Sequence, residues 1–305
     1  MGDIFEIDRR RTIRTAIARD NYANDRFGIV DADIRHHNWI IATHKGLVAA
    51  NLDGVKIIAF GWFFGICRNG QDVYLFENCA MRARTLALGR VIKMTISSGL
   101  LCDPVVLVKG LDANCHQIAI IDGLLCVVDT ANQAIRRYAL DGHLIDIKTP
   151  FPVAPHTERN GTYLHINSIA KIGENIAIML HNGPAIPEKC SEIAWLDSGW
   201  NLCERLPLNG HRCHDIVEDE TGVLWHSASM TGELMSSDGR REKIDNNRMT
   251  RGLAISADAM IVGVSSFGNR QNRDALPGAI VIMDRALNRL AEFELNGPPA
   301  DIVAI

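Results

Sequence analysis

The chain lacks most of the features that quickly sort a protein of 305 residues. No apolar run approaches the roughly 20 residues of a membrane-spanning helix. The N-terminus, MGDIFEIDRRRTIRT, is charged where a secretion signal carries its apolar stretch. These two absences predict a cytoplasmic protein with no membrane partner. Lys and Arg total 32 against 36 Asp and Glu, giving a net charge of −4, and the basic residues are scattered. That excludes the basic face that nucleic-acid binding requires. Aromatic residues make up only 6%, which works against a large aromatic-rich docking surface for a protein partner. The eight cysteines form no CxxC pair, which argues against a thiolate zinc cluster and predicts reduced, core-packing side chains. Helical patterning is scarce, with Arg11 to Asp20 in an N-terminal arm (residues 1–25) as the one candidate.

What is present is a period. NCHQIAI, LHINSI and RCHDIVE carry His116, His165 and His214, and the intervals are equal: 165 − 116 = 49 and 214 − 165 = 49. After each histidine come a short apolar strand, a turn and a second strand, rich in Val, Ile and Leu and punctuated by Gly, Asp and Asn, the signature of β-hairpins. A second marker, an apolar strand turning at an acidic residue, recurs at Asp53, Asp141, Asp197, Asp238 and Asp284, with a weaker example at Gly89. Six turns of one kind predict six units of about 51 residues, the size of a four-stranded propeller blade. The expected fold is all-β, a single six-bladed β-propeller over residues 1–305. Phe63 or Gly65 would open the inner strand before His116, and Arg251 the one after His214. The final ADIVAI, with Asp301, would close the ring against the N-terminal unit and remove an exposed sheet edge.

Inner strands of a propeller line its axis, so one repeat position on adjacent blades stands at one height around the channel. His116, His165 and His214 would thus converge. Three imidazoles suit a divalent metal, zinc or iron above all, with open positions for water or substrate. A lone histidine at a strand start is more often a satisfied hydrogen-bonding group; three at one repeat phase are not explained that way. Arg251 offers a guanidinium fork to a carboxylate, sulfate or phosphate. Asp301 is a candidate acid, and Asn167 would share a side with His165 in a regular strand and reach substrate. Asp31 reads as a turn residue. His181 and His226 sit on second strands and read as packing or supporting residues. His36, His37, His44, His143 and His156 share no repeat phase and read as surface or loop residues. Cys115 and Cys213 precede two of the histidines and should point to the opposite face. Two longer segments, NGPAIPEKCSE and FGNRQNRDALPG, read as rim loops.

HQIAIIDGLLCVVDTANQAIRRYALDG, with its DxxN turn at Asp129 and Asn132, resembles a repeat of the NHL type. Six-bladed NHL-like propellers include the peptidyl-hydroxyglycine amidating lyases, and that resemblance implies zinc held by histidines that begin inner strands of separate blades. HINSI separately resembles a stretch of the arylsulfate sulfotransferases, implying metal-free sulfuryl transfer by central histidines and an arginine. Three readings follow: a metal-dependent lyase, hydrolase or oxygenase acting on a small polar or anionic molecule; a metal-free sulfuryl-transfer enzyme; and a non-catalytic binding or scaffold propeller.

Overall fold

In a computed structural model, which describes residues 28–79, 89–268 and 276–305, the chain forms six antiparallel sheets arranged as a β-propeller. Blades 2 to 6 each run inner to outer in chain order. Blade 2 comprises Phe63–Asn69, Asp72–Asn78, Gly89–Ser97 and Leu100–Leu111; blade 3, Ile118–Ile121, Leu124–Asp129, Ala134–Tyr138 and Leu144–Lys148. Blade 4 comprises Ile166–Ile172, Asn175–Leu180, Glu192–Leu196 and Leu202–Pro207; blade 5, His214–Glu218, Leu224–Ala228, Glu233–Ser236 and Arg241–Lys243. Blade 6 comprises Arg248–Ile255, Ala259–Ser266, Gly278–Asp284 and Arg289–Leu295.

Blade 1 is assembled from both ends of the chain. The C-terminal strand Pro299–Ala304 is innermost and pairs antiparallel with Trp39–Thr43, followed outward by Gly46–Ala50, Val55–Phe60 and a short strand Gly28–Ile29. The ring closure expected of ADIVAI is therefore present. The helix candidate at Arg11 to Asp20 and the N-terminal arm lie outside the described residues.

The period is explained by where apolar side chains go. Both faces of every blade are covered, and the core is divided into clusters wedged between neighbours: Ile40, Phe63, Leu75 and Ile92 between blades 1 and 2, for example, and Cys126, Ile135, Ile178 and Leu180 between blades 3 and 4. None of the eight cysteines, all of them among the described residues, is in a disulfide with another of them, and five are buried. Burial pushes the thiols of Cys126 and Cys213 up to about 12, so they stay protonated and pack as small apolar groups.

The recurring acidic turns join third to outer strands and act by local capping. Asp197 accepts the Asn201 N–H at 2.8 Å, Asp284 the Asn288 N–H at 2.8 Å and Asp141 the His143 N–H at 3.0 Å. In blade 2 the turn is at Ser98 and Gly99, both at positive φ, and not at Gly89. Gly89 instead begins the third strand under Phe76, whose ring would lie 2.6 Å from an added Cβ. The DxxN turn forms as its residues predict: Asn132 Nδ2 donates to Asp129 at 2.9 Å across a 3₁₀ turn, and Arg136 donates to the same carboxylate at 2.8 Å. Blade 5 keeps that turn at Ser229–Thr231 with Ala228 in the capping place, which is why the motif is faint there.

Near their starts the inner strands depart from regular pairing. Register shifts fall at Ala300, Phe64, Asn167, Asp215 and Ile216, and Arg251 and Gly252. Each bulge turns a side chain out of the pleat and frees a backbone group. At this level blades approach so closely that glycine is required: a Cβ on Gly263 would lie 2.2 Å from the Arg251 carbonyl and 2.6 Å from the Pro299 ring. Gly263→Ala is therefore expected to destabilise the protein by at least about 2 kcal/mol, read as a lowered urea midpoint with an unchanged m-value; an unchanged midpoint would show that the closing strand is not packed this tightly.

Candidate functional site

Strand direction fixes which residues meet. Each inner strand of blades 2 to 6 starts at one end of the channel, the second strand returns to that end, and the loop to the third strand leaves from it. His116, His165, His214 and Arg251 therefore share one mouth, and so do the residues where second strands end. His181 is one of these. It follows Leu180, and its N–H donates to the His165 carbonyl at 3.3 Å.

The imidazoles form a connected arc. Ring centroids are 5.1 Å apart for His116 and His165, 4.4 Å for His165 and His181, and 5.2 Å for His181 and His214. Phe64, in the blade 2 bulge, continues the arc at 6.0 Å from His116, and the Arg251 guanidinium lies 5.6 Å from the Phe64 ring centre. His44 stands 4.6 Å beyond Phe64, with Trp62 beside both. His116, His165, His181, His214, Phe64 and Arg251 are half-buried, whereas Asn167, Asp215 and Asp301 beneath them are buried. The upper layer is open to solvent and the lower one is closed.

Hydrogen-bond partners assign the tautomers. His116 Nδ1 is 2.7 Å from the Asn114 carbonyl and His214 Nδ1 is 2.9 Å from the Arg212 carbonyl. A carbonyl only accepts, so both rings carry the proton on Nδ1 and keep the lone pair on Nε2. Ser229 Oγ, 2.9 Å from the same His214 nitrogen, gives its own proton to the Thr250 carbonyl at 2.6 Å and accepts from the ring. His181 is the reverse: its Nδ1 accepts the Gly183 N–H at 3.2 Å, which leaves Nε2–H as a donor. His165 adopts a left-handed backbone, with φ at 52°, a conformation that tertiary packing must hold.

Burial holds His116 and His181 well below the ordinary histidine range, helped by the neighbouring imidazoles and, for His116, by Arg251. Both are neutral near pH 7. The acids beneath shift the other way. Burial raises Asp215 to about 6 and Asp301 well above the usual carboxylate range, with Asp215 itself a further cause for Asp301.

These lower residues link blades. Asp301 accepts the Ile66 N–H at 3.0 Å, Asp215 accepts the Gly252 N–H at 3.0 Å, and Gln117 accepts the Ile169 N–H at 2.7 Å. Asn167 donates to the Cys213 carbonyl at 3.0 Å and accepts from Ser168 at 3.2 Å. The strand bulge at Asn167 breaks the alternation that would have set it beside His165, so its polar atoms serve the blade 4 to blade 5 junction. Asp31 caps a turn by accepting the Asp33 N–H at 3.0 Å, as its position suggests.

The structure departs from the sequence reading at His181 and, in part, at His44. His181 lies in the arc and not one layer outward; the signal was its place opposite His165 across the hairpin that turns at Ile172 and Asn175. His44 lies in a turn, as the loop reading has it, but is buried at the same mouth and is not a surface residue, because the Thr43 turn of blade 1 abuts Trp62 and Phe64. His226 is the buried packing residue expected. Among the described residues, no group of three or more His, Cys, Asp or Glu side chains has the mutual arrangement that holds a metal ion as it stands. No described helix is long and apolar enough to cross a membrane. The FGNRQNRDALPG loop lies mostly outside the described residues.

The sequence matches no protein-family model and no curated protein. Its fold is similar to that of solved structures at low identity. A Bacteroides caccae protein of unknown function aligns over 88% of this chain and 98% of its own, with a TM-score of 0.58 and 11% identity. A chain of a nidogen/laminin complex aligns over 87% and 97%, with a TM-score of 0.60 and 11% identity. A virginiamycin B lyase of Staphylococcus aureus with quinupristin aligns over 74% and 76%, with a TM-score of 0.49 and 13% identity, and bears on nothing further. The first two likenesses agree with the propeller fold and bear on the fold alone.

Two outcomes test this electrostatic description. Nitrogen-detected NMR at neutral pH should report the Nδ1–H tautomer for His116 and His214 and the Nε2–H tautomer for His181; the same tautomer at all three sites would contradict the assigned bonds. Burial lowers His226 to about 4, below its unfolded value near 6.5. The unfolded chain thus binds more protons between those values, and stability present above pH 6.5 is lost on acidification toward pH 4. At pH 4.5 the loss is on the order of 2–3 kcal/mol. His226→Gln should therefore lose correspondingly less stability than the wild type between pH 7.5 and pH 4.5 in urea titrations.

Proposed function

We propose that the channel mouth is the active site of an enzyme acting on a small polar or anionic molecule, with His116, His165 and His214 holding a divalent metal ion, zinc or iron, and Arg251 receiving the anionic group. The observation that carries this reading is the arc of four half-buried imidazoles beside one guanidinium.

The donor chemistry fits a metal. Imidazoles with Nδ1–H held by a carbonyl present Nε2 with its orientation fixed, the usual outer support of a ligating histidine. The 5.1 Å between the His116 and His165 rings is also the centroid spacing of two imidazoles on one tetrahedral ion, about 5 Å for metal–nitrogen bonds of about 2.0–2.1 Å. A bound ion would lower the pKa of a coordinated water and polarise a substrate oxygen.

The chain's own residues supply the rest. His116 and His181 are kept neutral by burial, so neither repels a cation nor neutralises an anion. His181 Nε2–H is a donor for a substrate oxygen. Arg251 holds an oxyanion bidentately, and its charge is felt at His116. Asp301 and Asn167, whose polar atoms bridge blades, act by fixing the inner strands that carry the arc.

A second, metal-free reading is favoured by the 4.4 Å packing of His165 on His181 and by the lack of a preformed three-ligand group among the described residues. In it the Nε2 lone pairs of His116 and His214 act as bases or nucleophiles. Elemental analysis of protein purified without a histidine tag separates the two. We expect close to one equivalent of zinc or iron in the wild type and less than a tenth of that in His116→Ala. Arg251→Gln should keep the metal and weaken binding of a small oxyanion such as sulfate or a carboxylate by about tenfold or more. Absence of metal from the wild type would remove the metal-dependent reading, and unchanged anion binding in Arg251→Gln would remove the assigned anchor.

A further inference from the structure

The face that carries the histidine arc also carries a second pair of reactive side chains. The loop from His181 to Ser191 joins the second and third strands of blade 4, and residues 208–213 lead from blade 4 into the inner strand of blade 5. At their contact the Cys190 thiol lies 3.7 Å from His211 Nε2. Cys190 is exposed and His211 is half-buried. His211 Nδ1 is 3.1 Å from the Lys189 carbonyl, so that nitrogen carries the ring proton and Nε2 offers its lone pair to sulfur.

The pair is held on both sides. Asn182 Nδ2 donates to the Cys190 carbonyl at 2.8 Å, the Ser191 N–H donates to the Gly210 carbonyl at 2.8 Å, and the Leu208 N–H donates to the Ser191 carbonyl at 2.8 Å. The residues next to each partner are thus clipped together, and the sulfur–nitrogen approach does not depend on a free loop. Exposed Lys189 and Arg212 adjoin the two partners in sequence, and Arg212 is bridged to Glu188 at 3.3 Å. Among the described residues, the other exposed cysteine, Cys203, has only the Asn201 carbonyl at 3.6 Å.

We infer that Cys190 and His211 form a nucleophilic thiol–imidazole pair on the rim of the channel mouth, a site of reversible modification by low-molecular-weight disulfides. The thiol proton passes to His211 Nε2 as Sγ attacks one sulfur of the disulfide. A bond forms between Cys190 and that sulfur, the original S–S bond breaks, and the departing thiolate takes the proton back from His211. Cys190 is oxidised to a mixed disulfide and one half of the reagent is reduced to its thiol.

The position links this site to the arc. Ser191 Oγ donates to the His181 carbonyl at 3.3 Å and accepts the Cys213 N–H at 2.9 Å. The residue beside the modified cysteine therefore touches the backbone of His181 and of the residue preceding His214. A group attached at Cys190 is added to the wall of the mouth. The inference stands on the rim geometry alone and holds with or without a metal in the channel.

The experiment treats the intact native protein with a small aromatic disulfide and follows each cysteine by peptide mass mapping. Cys190 is expected to react at least about tenfold faster than Cys203, a comparison made within the wild type that needs no variant. His211→Gln should bring Cys190 down to the rate of Cys203, Cys190→Ser should remove the fast phase, and Cys203→Ser should leave it. Equal rates at the two exposed cysteines in the wild type, or an unchanged Cys190 rate in His211→Gln, would overturn the proposal.

Discussion

The structure depends on how inner-strand backbones are satisfied where six blades meet at one axis. An inner strand has a sheet partner on one side only, and in five of the six blades even that ladder is interrupted by a bulge near its start. The amides left over face the neighbouring blade, where water is scarce, and an unpaired amide there costs about as much as a lost hydrogen bond. Side chains of the neighbouring inner strand take them up. Asp301 reaches blade 2, Gln117 receives blade 4, Ser168 receives the Asp215 N–H from blade 5, and Asp215 receives blade 6. Where no such bond is present the backbones come together directly, as at Gly65, whose added Cβ would sit 2.8 Å from the Ile118 nitrogen.

The same bulges set up the mouth. A regular strand sends alternate residues to opposite faces, which would bury half of the axial positions in the blade interfaces. The extra residue resets the alternation, so Phe64 and Arg251 reach the channel while their neighbours Phe63 and Leu253 pack in the core. Fold closure and site construction are thus one structural event, and a substitution in the buried lower layer is felt by the half-buried upper one.

This accounts for what was legible in the sequence. The 49-residue interval of His116, His165 and His214 follows from blade length, and the acidic turns follow from local capping, so the six blades and the ring closure could be read directly. Gly89 misled because a glycine under Phe76 looks the same in sequence as a glycine in a turn. Asn167 misled because the period-2 rule fails at a bulge, and no local residue type marks one. His181 and His44 have no repeat phase; they reach the mouth through hairpin pairing in blade 4 and a turn in blade 1, contacts set by register and not by spacing. Gln117, Asp215 and Ser168 were missed because a side chain that bonds a neighbouring blade leaves no periodic trace.

Charge at the axis follows from these positions. Arg251 brings a positive charge to a site whose imidazoles His116 and His181 resist protonation and whose acids Asp215 and Asp301 resist ionisation, all chiefly through burial. The raised acids favour the folded state at low pH and lose that contribution as pH rises through their folded values. The depressed histidines do the reverse, favouring the folded state above their unfolded value near 6.5 and losing it on acidification. The two sets oppose each other over the weakly acidic range, so their contributions at the axis partly offset one another. Asp215, raised only to about 6, is largely ionised at pH 7 and offsets part of the Arg251 charge, while that charge adds to burial in holding His116 neutral.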